Sequence, residues 1–408
     1  MSNLKEDMMT TIIRPQPEVN RSGKKKKPLF LSWLQLRKER SRLMVAIAGI
    51  SFANVLMFLQ LGFRGALFNS AVEFHNSLNG EIIILSGRFR ALISLDRFTE
   101  KRLYQSLGVD GVQSVSPIYL NFIQWRNPYN KEIWDIYAIG INPEHEVMNL
   151  PGVQTYGKRL REPDTALFNI TSRHEFGPIE QHFQAGEEIT TEINRRKIHI
   201  QGLFRLSPTF GINAYLVTSD VNFLRMMPSR QSGLIDVGVV KLKPGADVQK
   251  VLANLRSRLP DDVKVVTKED FVKGEVAFWN ASTPIGYTFD LGVVIAFIVG
   301  SVIVYQILYS DVTDHLPEYA TLKAMGFENQ YLLVVVFQES LILAVLGFIP
   351  GIAIALTIYQ ITHIVTLLPM AMNLGRVVFV LILTIIMCSF SAAIAVRKLH
   401  TADPADIF

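Results

Sequence analysis

Cysteine and charge are both scarce in this chain. Cys388 is the single cysteine in 408 residues. No disulfide can join two parts of one chain, so cysteine usage does not report the compartment. Charged residues make up 19% of the sequence, against roughly 25% in ordinary soluble domains. Hydrophobic residues reach 49% and the mean hydropathy is +0.25. These values describe a membrane protein with a substantial soluble part. Catalytic signatures are missing too. The sequence has no G-x-x-x-x-G-K-[ST] loop, so it has no P-loop for a nucleotide, and no H-E-x-x-H or G-x-S-x-G. His174 and His182 stand eight apart near Glu175 and Glu180, a spacing that fits no usual metal motif. His75, His145 and His199 are isolated along the sequence. The reading is of a chain that is no enzyme, binds no metal and no cofactor of its own, and has no nucleic-acid partner.

Four apolar runs are present. Residues 43–63 and 377–396 carry no charge. Within 285–309 the stretch Leu291 to Tyr309 carries none, and residues 331–359 carry one, Glu339. Each reaches the roughly 20 residues that a helix needs to cross a bilayer core. Lys24 to Lys27, Arg37, Lys38, Arg40 and Arg42 precede the first run, Arg64 alone follows it, and Arg397 and Lys398 follow the fourth. The positive-inside rule then puts both termini in the cytoplasm and residues 64–284 outside. Arg376, at the outer end of the fourth run, is a minor exception. The first run begins too late and runs too long for a cleavable leader, so it reads as an anchor. Residues 1–27 are polar and lysine-rich and read as a disordered cytoplasmic tail. Their lysines either touch anionic lipid or only set the topology. Residues 28–42 read as an amphipathic helix in the headgroup plane with Trp33 as its interface anchor. The alternative is a plain extension of the first span.

Residues 64–284 suffice for one large or two small domains. Strand-like alternation recurs at Glu81–Leu85, Ile133–Ile139, Lys197–Phe204, Gly238–Leu242 and Asp262–Val266. Helical pieces fall at Leu95–Leu107, Val221–Met226 and Asp247–Leu259, the last with Asp247 as N-cap. The fold class expected is α+β, with the flanks Arg64–Leu78 and Glu269–Asn280 extending the first two spans as a helical stalk.

Residues 310–330 return the chain to the cytoplasm for one short, patterned piece. Pro317 and Glu318 suit the first turn of a helix, and Gly326 suits the position after its last turn. The two to three turns between them are too few to be stable alone. Leu316, Tyr319, Leu322, Ala324 and Met325 leave apolar sides to dock, and with no P-loop in the chain a separate ATPase is the natural surface. Within the third span, Glu339 is costly at its depth and must face a partner, water or the interface. Gly347 and Gly351 form a G-x-x-x-G around Pro350 that favours close helix approach and a kink. Asn54 and Gln60 are suited to hydrogen bonds between helices. Residues 360–376 form a short external loop and 397–408 a cytoplasmic tail.

This order of one span, a large outside domain and three more spans resembles the FtsX/MacB-type (type VII) permeases of ABC systems. The inner segment Leu316-Pro-Glu318-Tyr-Ala-Thr-Leu322-Lys323-Ala324-Met325-Gly326, followed by Phe327, is similar to the family's inner loop. Gln338-Glu339-Ser340, Gly347 to Gly351 and the tail Arg397 to Ala405 are similar to other family patterns. His315 and Leu316 depart from it, standing near where many members carry arginine. The first span, Ala66 to Ser70, Ser172 to Gly177 and Leu216 to Phe223 resemble the DevC-like branch of cyanobacteria. The resemblance implies a MacB-like fold in the plasma (inner) membrane. Its ATPase-coupling residues would be Pro317, Glu318, Tyr319, Leu322, Lys323, Met325, Gly326 and Phe327, with Glu339, Gly347 and Gly351 packing and coupling the spans. The partners implied are a cytoplasmic ABC ATPase subunit that binds the ATP, a periplasmic membrane-fusion adaptor, an outer-membrane TolC-like channel, a second copy in a homodimer, and membrane lipids. Export of lipid or glycolipid is the expected function. The alternatives are an FtsX-like signal transmitter controlling periplasmic partners, and a membrane sensor without an ATPase.

Overall fold

The computed structural model describes residues 40–282, 284–318, 321, 325 and 329–401, the side chains of 329–332 and 397–401 excepted. Trp33, Tyr319, Leu322, Lys323, Gly326, Phe327, the 1–27 tail, most of 28–42 and the final residues from 402 lie outside the described residues. Five helices carry the membrane part and its stalk: α1 (Arg40–Ser77), α2 (Lys268–Ser282), α3 (Ile285–Asp314), α4 (Asn329–Thr366) and α5 (Leu374–Thr401). Four of them (α1, α3, α4 and α5) are long and apolar enough to cross a membrane. At 1.5 Å per residue, the 38 residues of α1 span about 57 Å, against roughly 30 Å of bilayer core. The excess carries α1 out of the apolar layer and into the soluble domain.

That domain is built on eleven strands: β1 (Ile82–Ser86), β2 (Phe98–Thr99), β3 (Val112–Arg126), β4 (Ile133–Ile141), β5 (Thr165–Asn169), β6 (Thr190–Ile193), β7 (Arg196–Phe204), β8 (Tyr215–Ser219), β9 (Leu234–Ile235), β10 (Val237–Leu242) and β11 (Val263–Thr267). Nine form one sheet in the order β11-β1-β10-β3-β4-β8-β5-β7-β6, and β2 pairs with β9. The pairs β4–β8 and β5–β7 are parallel, and the other neighbours antiparallel. β6 also reaches the far end of β3, Trp125 opposite Ile193 and Arg126 opposite Glu192. The strands from β3 to β6 therefore curl into a closed ring, which removes exposed edges. Trp125, fully buried, packs on Phe168 at 5.0 Å inside it.

Both faces of the sheet are covered. Ile82 and Ile84 point into one core with Leu103, Phe223, Val251 and Leu255 from short helices. Ile83 and Leu85 point into the other with Phe74 and Leu78 from the end of α1 and Phe271 from α2. The stalk is thus part of the second core. Burial on both faces corrects the expected alternation at Glu81–Leu85: all five β1 residues are buried, the pattern of a doubly covered strand. The helix expected over Leu95–Leu107 is shorter, Glu100–Gln105 followed by a 3-10 turn, because Phe98 and Thr99 pair with β9. The helix at Val248–Arg258 starts where its cap predicts, with the Asp247 carboxylate accepting from Gln249 N and Lys250 N.

One buried ion pair stabilises the loop before β10. Arg230 and Asp236 are in contact with side chains 1% and 0% exposed, and Asp236 also accepts from Leu120 N at 2.7 Å. Desolvation raises the Asp236 carboxyl above its usual range and lowers the Arg230 guanidinium, and their mutual attraction opposes both shifts.

Candidate functional site

Three regions connect the far end of the membrane helices to the sheet. The first is the inner segment. Arg42 at the start of α1 and Asp314 at the end of α3 form an ion pair at 2.5 Å. His315 follows as the C-cap of α3, its N–H donating to Asp311 O at 3.1 Å, and is buried. Beyond it Pro317 and Glu318 are helical and exposed. Thr321 Oγ1 donates to Pro317 O at 2.9 Å. Met325 N donates to Thr321 O at 3.0 Å, an i to i+4 bond of helical type. Met325 is 63% exposed, an apolar side chain presented outward at the far end of the bundle.

The second region is the bundle itself, with α1 at its centre. A Cβ on Gly347 would lie 2.6 Å from Ile50 Cβ, and one on Gly351 would lie 2.9 Å from Asn54 Cβ. The G-x-x-x-G face of α4 therefore seats directly on α1. Ser51 Oγ donates to Gly347 O at 2.9 Å across that crossing. Thr384 Oγ1 donates to Asn54 Oδ1 at 2.5 Å, tying α5 to α1, and Ser391 Oγ donates to Ser301 O at 2.8 Å, tying α5 to α3. Gln60 packs where Gly292 of α3 leaves room. Glu339 is 1% exposed, so its carboxylate faces the bundle interior, against the alternative that it reaches up to the interface. Gly351→Leu is expected to force α4 away from α1 at a cost of roughly 1–3 kcal/mol or more. Melting of the purified protein in detergent measures this, and an unchanged midpoint would show that the crossing tolerates a side chain.

The third region is the joint between stalk and sheet. The last carbonyls of α1 have no partner within the helix. Lys268 Nζ, at the start of α2, donates to Asn76 O and Leu78 O, both at 2.7 Å, and Asn149 N donates to Ser77 O at 2.6 Å. Burial lowers the Lys268 ammonium below the usual lysine range, and Glu81 opposes the shift. One turn back, His75 and Glu275 meet between α1 and α2, side chains 0% and 2% exposed, with His75 Nε2 3.4 Å from Glu275 Oε2. Glu275 also accepts from Leu92 N at 3.1 Å and Trp279 Nε1 at 2.9 Å. The His75 ring lies 4.2 Å from that of Phe271. The Glu73 carboxylate accepts from Ser207 N at 2.8 Å, so a loop of the domain grips α1 as well.

The histidines that look isolated along the sequence have neighbours in space. His75 meets Glu275, His145 meets Ser116 Oγ at 2.9 Å, and His199 meets Glu188 at 2.9 Å. His174 and His182 do not converge: His174 faces Glu175 at 3.6 Å, while His182 meets Glu187 at 2.7 Å and stacks on Tyr129. Among the described residues no three His, Cys, Asp or Glu are grouped to hold a metal ion. Lys268, Glu275 and Ser51 were not legible as functional from sequence. The one available signal was a carboxylate, Glu275, set among Phe271, Val276, Phe278 and Trp279.

Residues 291–404 match the family model described as FtsX-like permease C-terminal. A comparison with curated proteins gives no match. Among solved structures, the chain is similar to the periplasmic region of MacB from Actinobacillus actinomycetemcomitans, at 12% identity and TM-score 0.35, covering 51% of this chain and 98% of that one. It is also similar to the extracellular domain of the noncanonic ABC-type transporter YknZ from Gram-positive bacteria, at 15% identity and TM-score 0.32, covering 46% and 98%. Residues 291–404, which hold the last three membrane helices, are therefore an FtsX-like permease C-terminal region.

Proposed function

We propose that the chain is the permease subunit of an export system of the DevC-like branch and that it transmits motion rather than housing the chemistry. In this reading both termini are cytoplasmic and the sheet domain is periplasmic. Two copies form a homodimer, and each docks residues 315–328 on one cytoplasmic ABC ATPase subunit, which binds and hydrolyses the ATP. The periplasmic domains work with a membrane-fusion adaptor and a TolC-like channel, and the cargo is a lipid or glycolipid. Energy enters through tighter binding of ATP to the closed ATPase, as any population shift requires.

The observation that carries the reading is mechanical continuity. One unbroken helix, α1, runs from the ion pair with Asp314 to the Lys268 clamp at the sheet. Packing this dense deforms little, so displacement at one end moves the other. The test is purification of the tagged chain from its native membrane, with lipid analysis of a deletion strain. Co-purification of an ATPase and an adaptor, with one lipid class retained in the deletion strain, supports export. A bound cell-wall hydrolase and unchanged lipids would favour the signalling alternative.

A further inference from the structure

A cavity of about 560 Å³ lies where the sheet domain meets the membrane helices, within the range of small-ligand sites. Its floor is Phe63 and Leu67 of α1 and Phe289 of α3, the two phenylalanines stacked at 6.3 Å. One wall is Ile364 and Val365 at the end of α4. Its roof is Arg173, His174 and Glu175 from the domain. The adjoining ion pair Arg64–Asp290, at 3.2 Å, marks the level at which the spans leave the apolar layer. The lining is therefore mainly apolar on the membrane side, while the domain side sets Arg173, His174, Glu175 and Thr209 beside Pro208 and Phe210.

Two further observations bear on what fills it. Ile364 and Val365 are each 75% exposed, although they line one wall of this half-open cavity. Glu175 Oε2 is buried without a hydrogen-bond donor, at 3.6 Å from His174 Nδ1. A purely apolar occupant would leave this oxygen bare, and a bare phosphate would be repelled by it. A head group carrying hydroxyls offers donors to Glu175 and oxygens to Arg173.

We infer that this cavity holds one resident lipid of the surrounding bilayer, its acyl chain on Phe63, Phe289 and Ile364 and a hydroxyl-bearing head group under Arg173 and Glu175. The lipid acts as a structural ligand at the joint between membrane and domain. The inference rests on the membrane placement of the helices and not on the export reading, and its test reads binding alone.

The full chain is reconstituted in vesicles doped with phosphatidylglycerol bearing a photoactivatable group on its acyl chain, and labelled residues are mapped by mass spectrometry. Leu67 is 8% exposed and Ile298, on the outer face of α3, is 54% exposed. A resident lipid labels Leu67 above Ile298, the reverse of their exposure. Ile364→Gln with Val365→Gln removes the Leu67 label and leaves Ile298 labelled, which also reports correct insertion. A phosphatidylcholine probe, which lacks hydroxyls, labels Leu67 about fivefold less, the worth of one hydrogen bond. Labelling that follows exposure, equal labelling by the two probes, or cross-links from the cavity to a second copy would each overturn the assignment.

Discussion

Under the export mechanism proposed above, a chain carrying Leu322→Asp and Met325→Asp is expected to insert normally and export nothing. The reason lies in what the inner segment offers. Pro317 and Glu318 are exposed, the Thr321–Met325 hydrogen bond is helical, and Met325 is largely solvent-facing. A segment this short is not stable by itself, so an outward apolar side chain on it gains most by covering against another surface. Placing a carboxylate in that contact costs at least about 3 kcal/mol, which weakens docking on the order of a hundredfold. The membrane helices are untouched, so the amount of protein in the membrane holds. Reconstituted with the ATPase subunit proposed above, the double variant should fail to stimulate ATP hydrolysis and fail to move the proposed lipid cargo, while Met325→Leu retains both. Wild-type export by the double variant would remove this segment from the energy path and leave the remaining helix ends to be examined.

The spans and the α+β class were legible because they depend on composition over long windows. A charge-free run of 20 residues has few soluble explanations, and the Asp247 cap is a local signal that tertiary structure did not override. The interior of the sheet was less legible. β5 and β8 are five-residue runs buried on both faces, which no period of two can reveal. β3 contains Pro117, a residue that argues against a central strand, yet it sits opposite Gly238, where the partner has no side chain. The joint was invisible for another reason. His75 and Glu275 are 200 residues apart in sequence, and only the antiparallel return of α2 along α1 brings them together. The G-x-x-x-G of α4 was legible as a motif, but its target, Ile50 to Asn54 of α1, required the fold.

Glu275→Ala is expected to loosen the joint more than any other single change in the stalk. The carboxylate is 2% exposed, accepts from Leu92 N and Trp279 Nε1, and lies 3.4 Å from His75 Nε2. Removing it strips the acceptor from a buried backbone N–H and from the Trp279 indole N–H. Each buried donor left without this acceptor costs about 1–3 kcal/mol. For a domain of this size that lowers the melting midpoint by on the order of 10 °C. Glu275→Gln keeps the volume and an acceptor oxygen, so it should lose much less. Lys268→Met strips the donors from Asn76 O and Leu78 O and should fray the end of α1 without opening the core behind it. Thermal melts followed by tryptophan fluorescence read all three, since Trp279 is itself a ligand of Glu275. If Glu275→Ala melts within about 2 °C of the parent chain, less than 1 kcal/mol is at stake, and the pair is a packing detail. If it melts as expected while the membrane helices stay folded, stability and transmission share one joint. The proposed export should then fall in the order Glu275→Gln, Lys268→Met, Glu275→Ala, because in that mechanism a stalk that slips at the sheet cannot pass on the displacement of α1.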